Sequence, residues 1–424
     1  MRRVVLARRI GAGALSLAAL VSGWLWIGGR QSLAQPLKTI GVGRQPTGIA
    51  LDQRAGRAAV INTGDSSVSI IDTHGGSIVT TVYPRHGLPL AVAMDSRADH
   101  TFVAGAGTNS SARSTIASPV SVLETRRGRI LRSVSIPGLV RGIVADERIG
   151  RVFVLTDMAY PKVKRGGVTI LDAASGTVLN TAPIGASPVG IAVDTRSGRV
   201  LVVNQGGVFL AGVGTVSVLD ARSGAALGTV PVGQRPMAVA VDEATGHAFV
   251  TNNGGSVSMI DTRRARLVAT TNVDPQPDAV GVDATTHHVF VTTLGRNRVA
   301  MLDARTGAVL RAIPVGDRPM VVAVDARTHR AFIGNDVGGT TTVLDSATGS
   351  VLGTVAVGQD PMDAAVDEQT GHAFIVNMSA ESTRPTFWSR LGCRVRALVN
   401  RRCSGMMYGA VSSRGSVSML DASR

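Results

Sequence analysis

Aromatic residues make up only 3% of the 424 residues. So few rings exclude a surface that reads nucleic acid by stacking successive bases. Lysine is scarcer still, with three against 41 arginines, and the formal net charge is +15. A bias of that size speaks of genome composition rather than of one partner. The basic balance is therefore read as a solubilising surface, with an anionic partner as the alternative. Two cysteines, Cys393 and Cys403, exclude a disulfide-rich scaffold and a multi-cysteine metal module. No nucleophile elbow, HExxH, paired CxxC, CxxCH or phosphate-cradling glycine loop occurs after the N-terminal segment. What is abundant is glycine, at 50 residues, within a chain that is 44% hydrophobic. That composition is globular rather than disordered.

The N-terminus is an export segment. Arg2, Arg3, Arg8 and Arg9 precede an uncharged, mostly apolar run, Ile10–Gly29, and Ser32-Leu33-Ala34 places small residues where an export peptidase reads. The run is also long enough for a retained anchor with its basic flank inside. Residues 1–34 are thus a signal peptide or a membrane anchor, and residues 35–424 are extracytoplasmic: secreted, periplasmic or at the cell surface. Removing residues 1–34 takes away five arginines and no acid, so +15 becomes +10.

The remainder is built from one unit, seen most clearly in residues 236–261. Three short apolar or β-branched runs, Met237–Val241, Ala248–Thr251 and Ser256–Ile260, suit buried strands. Asp242-Glu-Ala-Thr-Gly246 joins the first two as a turn, and Asn252-Asn-Gly-Gly255 joins the next two as a hairpin. A fourth run follows, as in Ala225–Gly233, giving a four-stranded antiparallel meander. The first strand ends in Asp at 52, 95, 146, 194, 242, 283, 325 and 367, and the third-strand pattern of Val257-Ser-Met-Ile-Asp261 also recurs eight times. Sheets of about 42 residues cannot bury both faces alone, so neighbours must stack.

The chain ends indicate a ring. Leu37–Gly43 matches a fourth strand yet precedes the first unit, whereas the eighth unit stops after its third strand. Pairing one with the other leaves no open end in the stack. The expected fold is all-β: an eight-bladed β-propeller, with seven blades as the alternative count. Phe249-Val-Thr-Asn252, Val257–Asp261 and Val232-Gly-Gln-Arg-Pro236 resemble the YVTN β-propeller repeat, over essentially all of residues 37–424 apart from insertions. That resemblance implies the fold and says nothing of the chemistry. Asn62, Asn204, Asn252, Asn335 and Asn377 keep its strand-ending asparagine, while Gly105, Thr156 and Thr293 replace it.

Insertions rise from one face, which we call the top. They fall around Gly105–Pro119, Asp157–Gly167, Gln205–Gly214 and Met378–Gly415, all between second and third strands, and insertions on a single face often mark where a ring binds. In the last blade, the basic insertion at about 378–416 carries Trp388, Arg390 and Arg394, with apolar residues near helical spacing. A disulfide between Cys393 and Cys403 is expected to close it. The segment is either a short helix lying on the ring or a contact for a membrane, a partner or an anionic ligand.

Candidate chemistry collects where fourth strands lead into first strands. Arg44, Arg235 and Arg318 stand near the prolines there, with Asp360 and Asp363 in the last unit, and Met237, Met320 and Met362 directly follow prolines. These side chains are either repeat-imposed packing or a polar, thioether-lined pocket at the channel mouth. Asp363 and Asp278 stand where other units are read as carrying Gly, Ala or Val, and would serve acid/base work if close together. His247, His288 and His372 share a repeat position with Arg57, Arg151, Arg199 and Arg330 and are read as surface turn residues. No metal site, cofactor or catalytic residue is assigned.

The expected function is an exported, non-catalytic binding or scaffold protein, acting as a monomer through its top face on an unknown protein or small molecule. One alternative is an enzyme with a channel-mouth site, of the lactonase, lyase or metal- or quinone-dependent oxidoreductase kinds found among related propellers. A second is a polyanion-binding surface protein, contacting nucleic acid or anionic lipid.

Overall fold

A short β-strand that ends in Asp and turns through Gly commits its chain to an antiparallel return, and this chain does so repeatedly. The computed structural model describes residues 36–84, 87–106, 117–157, 166–206, 213–379 and 414–422. Among them there are 32 strands and no helix. They form eight four-stranded antiparallel sheets. Seven blades follow chain order: residues 46–82, 89–137, 139–183, 188–234, 236–272, 277–314 and 317–356. The eighth takes Gln359–Asp367, His372–Ser379 and Ser416–Asp421 and is completed by Lys38–Gly41. The closing pair is antiparallel, with Ile40 opposite Val417 and Lys38 opposite Met419. The first strands pack side by side in blade order, and the eighth lies against both the seventh and the first. The architecture is an eight-bladed β-propeller.

Hydrophobic burial divides into eight clusters, each between two neighbouring blades. The cluster between the eighth and first blades includes Ile40 and Val42 beside Val60, Phe374 and Val417. Among the described residues the phenylalanines all lie in these clusters. Phe102, Phe153, Phe249, Phe290, Phe332 and Phe374 occupy one place in the second strand and are 0–1% exposed. Ala59 and Leu201 take that place in the first and fourth blades.

The Asp that ends each first strand is 0–1% exposed. One oxygen accepts backbone N–H groups of the turn, as Asp52 does from Ala55 (2.8 Å) and Asp242 from Ala244 (2.9 Å), which is why a short carboxylate recurs there. The histidines do more than cover the turns. Nδ1 of His100, His247, His288 and His372 lies 2.8–2.9 Å from a backbone carbonyl of the following blade, at Ala173, Ala304, Ser346 and Thr73. Where the position is arginine, the guanidinium instead meets the Asp ending the third strand of its own blade, at 2.7 Å for Arg57–Asp72 and 2.8 Å for Arg151–Asp172. The reading of these histidines as mere surface residues is corrected: they are half-buried links between blades.

Candidate ligand site at the channel mouth

At the top, the residue before the proline takes a left-handed backbone in most blades. Gln45, Ser187, Arg235, Gln276, Arg318 and Asp360 have φ of 47–59°. This conformation is costly for a residue with a Cβ and re-aims its side chain as the chain enters the innermost strand. Arg44 lies one residue upstream of that register, which Gln45 occupies. Arg44 and Arg235 are exposed and enter none of the ion pairs among the described residues.

Arg318 behaves differently. Its guanidinium pairs with Asp336 at 3.1 Å, and another of its nitrogens lies 4.0 Å from the sulfur of Met320. Asp336 directly follows Asn335 at the top of the second strand of the seventh blade, whose partner strand places Pro319 opposite Asn335. One acid at a strand end carries no signal in the sequence without its partner. Burial raises the Asp336 carboxyl above the usual range, and the Arg318 charge partly offsets this. Asp360 is raised by burial first and next by the negative charge of Asp336, with which it shares a hydrogen bond. Asp278 is raised by burial against the lowering effect of Arg318. The Arg318 charge therefore acts on three carboxylates, from the sixth, seventh and eighth blades, pairing with Asp336 and partly offsetting the burial of all three, and each still resists ionisation. Met320 is half-buried beside them and Met362 is 39% exposed.

Asp363 does not join Asp278. The ladders align Asp363 with Val321, and with Gly, Ala or Val in the remaining blades, whereas Asp278 directly follows its proline, as Met237, Met320 and Met362 do. The shared equivalence expected for the two acids is thus corrected for Asp278. Asp363 accepts the backbone N–H of Ile49 in the first blade at 3.0 Å. It also accepts that of Ala364 at 2.9 Å. Burial pushes its carboxyl up to about 6, against those two bonds. It is half-buried by accessible surface, but partial exposure does not restore bulk solvation, so the carboxyl behaves as a buried one. The acid fastens the seam where the ring closes.

Met237 stands apart from the acidic group, its sulfur 3.2 Å from the side-chain nitrogen of Gln205. A second Arg–Asp pair, Arg141–Asp157 at 3.1 Å, sits in the third blade, diametrically opposite the seventh. Trp388, Arg390, Arg394, Cys393 and Cys403 lie outside the described residues, as do most of the four insertions. Among the described residues there is no group of three or more His, Cys, Asp or Glu able to hold a metal ion, and no helix long and apolar enough to cross a membrane.

Comparison with known proteins agrees with this architecture. The structure is similar to that of the computationally designed Ika8 protein, at TM-score 0.62 and 14% identity, over 81% of this chain and 96% of that one. It is also similar to Kuenenia stuttgartiensis hydrazine synthase, at TM-score 0.54 and 13% identity, over 84% and 98% of the two chains. At such identity the likeness is one of fold alone. No curated protein matches the chain. A family model does: the choice-of-anchor I domain matches residues 91–335, from the first strand of the second blade to the second strand of the seventh. That stretch is more than half of the sequence, and the chain belongs to the choice-of-anchor I domain family.

Proposed function

We propose that this is an exported, non-catalytic propeller that binds a small organic cation at the top of its channel. The observation that carries the reading is the break in repeat symmetry: Asp278, Asp336 and Asp360 crowd three adjacent blades of a chain whose net charge is +15. One guanidinium does not balance three carboxylates. An ammonium or guanidinium ligand entering the group would lower all three carboxyls back toward ionisation and gain Coulomb attraction in a poorly solvated place. Met320 and Met362 supply soft apolar surface for the body of such a ligand. A family described by its choice of anchor suits a protein held at a surface or outside the cell, and the repeat itself is read as YVTN-like.

A thermal-shift panel of alkylamines, guanidines and choline-like cations tests the proposal, since a ligand that binds only the folded ring raises its melting temperature. At least one cation should raise it in the wild type, and the shift should vanish in Asp360→Asn with Asp278→Asn. Stabilisation only by anions, or an unchanged shift in the variant, would overturn the reading.

A further inference from the structure

The opposite, bottom face carries a feature that the mouth does not explain. Outer strands begin at this rim, and in seven blades their pairing with the third strand slips by one residue there, between Ile70 and Ile71 in the first blade and between Met259 and Ile260 in the fifth. Such a bulge re-aims the extra side chain and spoils edge-to-edge pairing with another sheet. The extra residue is aliphatic each time and mostly exposed: Val79 is 42%, Leu131 38%, Leu179 49%, Val268 46% and Leu310 50% accessible.

In two blades an arginine triplet directly precedes the aliphatic pair. These are Arg126-Arg127-Gly128-Arg129-Ile130-Leu131 in the second blade and Arg263-Arg264-Ala265-Arg266-Leu267-Val268 in the fifth. The acids at these turns face inward. Glu124 and Asp261 side chains are 16% and 11% exposed, whereas Arg127 and Arg264 are 83% and 71% exposed. Each carboxylate serves more than one guanidinium, Glu124 taking Arg127 at 3.2 Å and Arg129 at 3.1 Å. Exposed pairs of this kind are weak, so the arginines remain available to another anion.

The chain also enters the ring at this rim. Lys38, the first residue of the closing strand, donates to the carbonyl of Gly75 in a bottom turn of the first blade at 2.9 Å, and Leu37 is 48% exposed. The described chain therefore begins at the bottom and not at the top. From the apolar run that ends at Gly29, seven residues can span at most about 25 Å to the ring. If that run is held in a bilayer, the arginine–aliphatic rim is the side it brings to the lipid.

We infer that the bottom rim docks on an anionic membrane surface through the arginine triplets and aliphatic pairs of the second and fifth blades. Guanidinium groups at the headgroup level with aliphatic side chains beside them is the arrangement of interfacial binders. It also leaves the channel mouth and the top loops turned away from the membrane.

All eight blades and all eight inter-blade cores lie within residues 36–422, so a chain beginning at Pro36 holds the whole ring and can be tested without the apolar run. It should sediment with vesicles of about 30% phosphatidylserine, not with pure phosphatidylcholine, and be released by about 0.5 M salt. Replacing Arg126, Arg127, Arg129, Arg263, Arg264 and Arg266 by Gln should weaken partitioning at least about tenfold. Circular dichroism would show the variant folded. Arg296→Gln with Arg298→Gln, on the top of the sixth blade, should bind as the wild type does. No binding to anionic vesicles, equal loss in the top-face variant, or capture of duplex DNA without capture of vesicles would overturn the inference.

Discussion

Position 363 shows how one side chain in a repeat can acquire a task of its own. The first strand of the first blade has a bulge after Pro46, and the Ile49 N–H beyond it is met by the Asp363 carboxylate across the closing seam. In the fifth and sixth blades the N–H groups of Ala238 and Ala279, within the corresponding bulge and one residue before the register of Ile49, are met by the hydroxyls of Thr251 and Thr292. The cost at the seam is an ionised group in a poorly solvated place, which pushes the carboxyl up to about 6 from 3.8. The folded chain thus holds this proton more tightly than the unfolded chain. The group's contribution to stability is fully present below the unfolded value and is lost as pH rises through about 6. At 1.36 kcal/mol per unit, the loss is up to about 3 kcal/mol. Asp363→Asn keeps an oxygen for Ile49 and removes the charge. It should raise the urea midpoint at pH 7, and the gain should shrink toward pH 4. A variant less stable at pH 7 would show that the ionised form is needed.

Between elements, asparagine and glycine work as a pair. In five blades the Asn ending the second strand lies against the Gly of the connection into the first strand: Asn62 with Gly43, Asn204 with Gly185, Asn252 with Gly233, Asn335 with Gly316, and Asn377 with Gly358. A Cβ on Gly316 would meet Cγ of Asn335 at 2.6 Å. That asparagine cannot easily move, because its amide nitrogen donates to Thr340 at 3.1 Å and Thr342 at 3.0 Å. Where Asn is absent the close approach changes as well; the sixth blade has Thr293, whose hydroxyl donates to the Arg298 carbonyl at 3.0 Å. Gly316→Ala should therefore destabilise by about 1–3 kcal/mol. Gly41→Ala, where a Cβ meets nothing within 4 Å, should be close to neutral. Urea midpoints of the two variants, measured side by side, check the pair.

For the whole molecule, stability is a property of the ring. Every apolar cluster belongs to two blades, so an open chain of eight sheets would expose one interface completely. The seam is closed by Lys38–Gly41 on one side and Ser416–Asp421 on the other, residues nearly the full chain apart. A chain beginning at Gln45 lacks Ile40 and Val42, both of which are buried in that cluster. It should lose cooperative unfolding or melt well below the intact ring, and adding residues 36–44 as a peptide should restore part of the loss. A truncated chain melting sharply at the original temperature would show that closure does not carry stability.

Strand alternation, Asp-to-Gly turns and the fourth strand displaced to the front are local or countable features. The sequence by itself therefore determined the blades and the ring closure, and the strand ladders decided for eight blades over seven. Only the tertiary structure decided that Arg318 meets Asp336, that Asp336 shares a hydrogen bond with Asp360, that Asp363 spans the seam to Ile49, and that the bottom histidines reach the next blade. The physical reason is the same in each case. These contacts join neighbouring blades or facing strands, and the side chains involved gain their meaning from burial and from a partner. Repeat periodicity is blind to both.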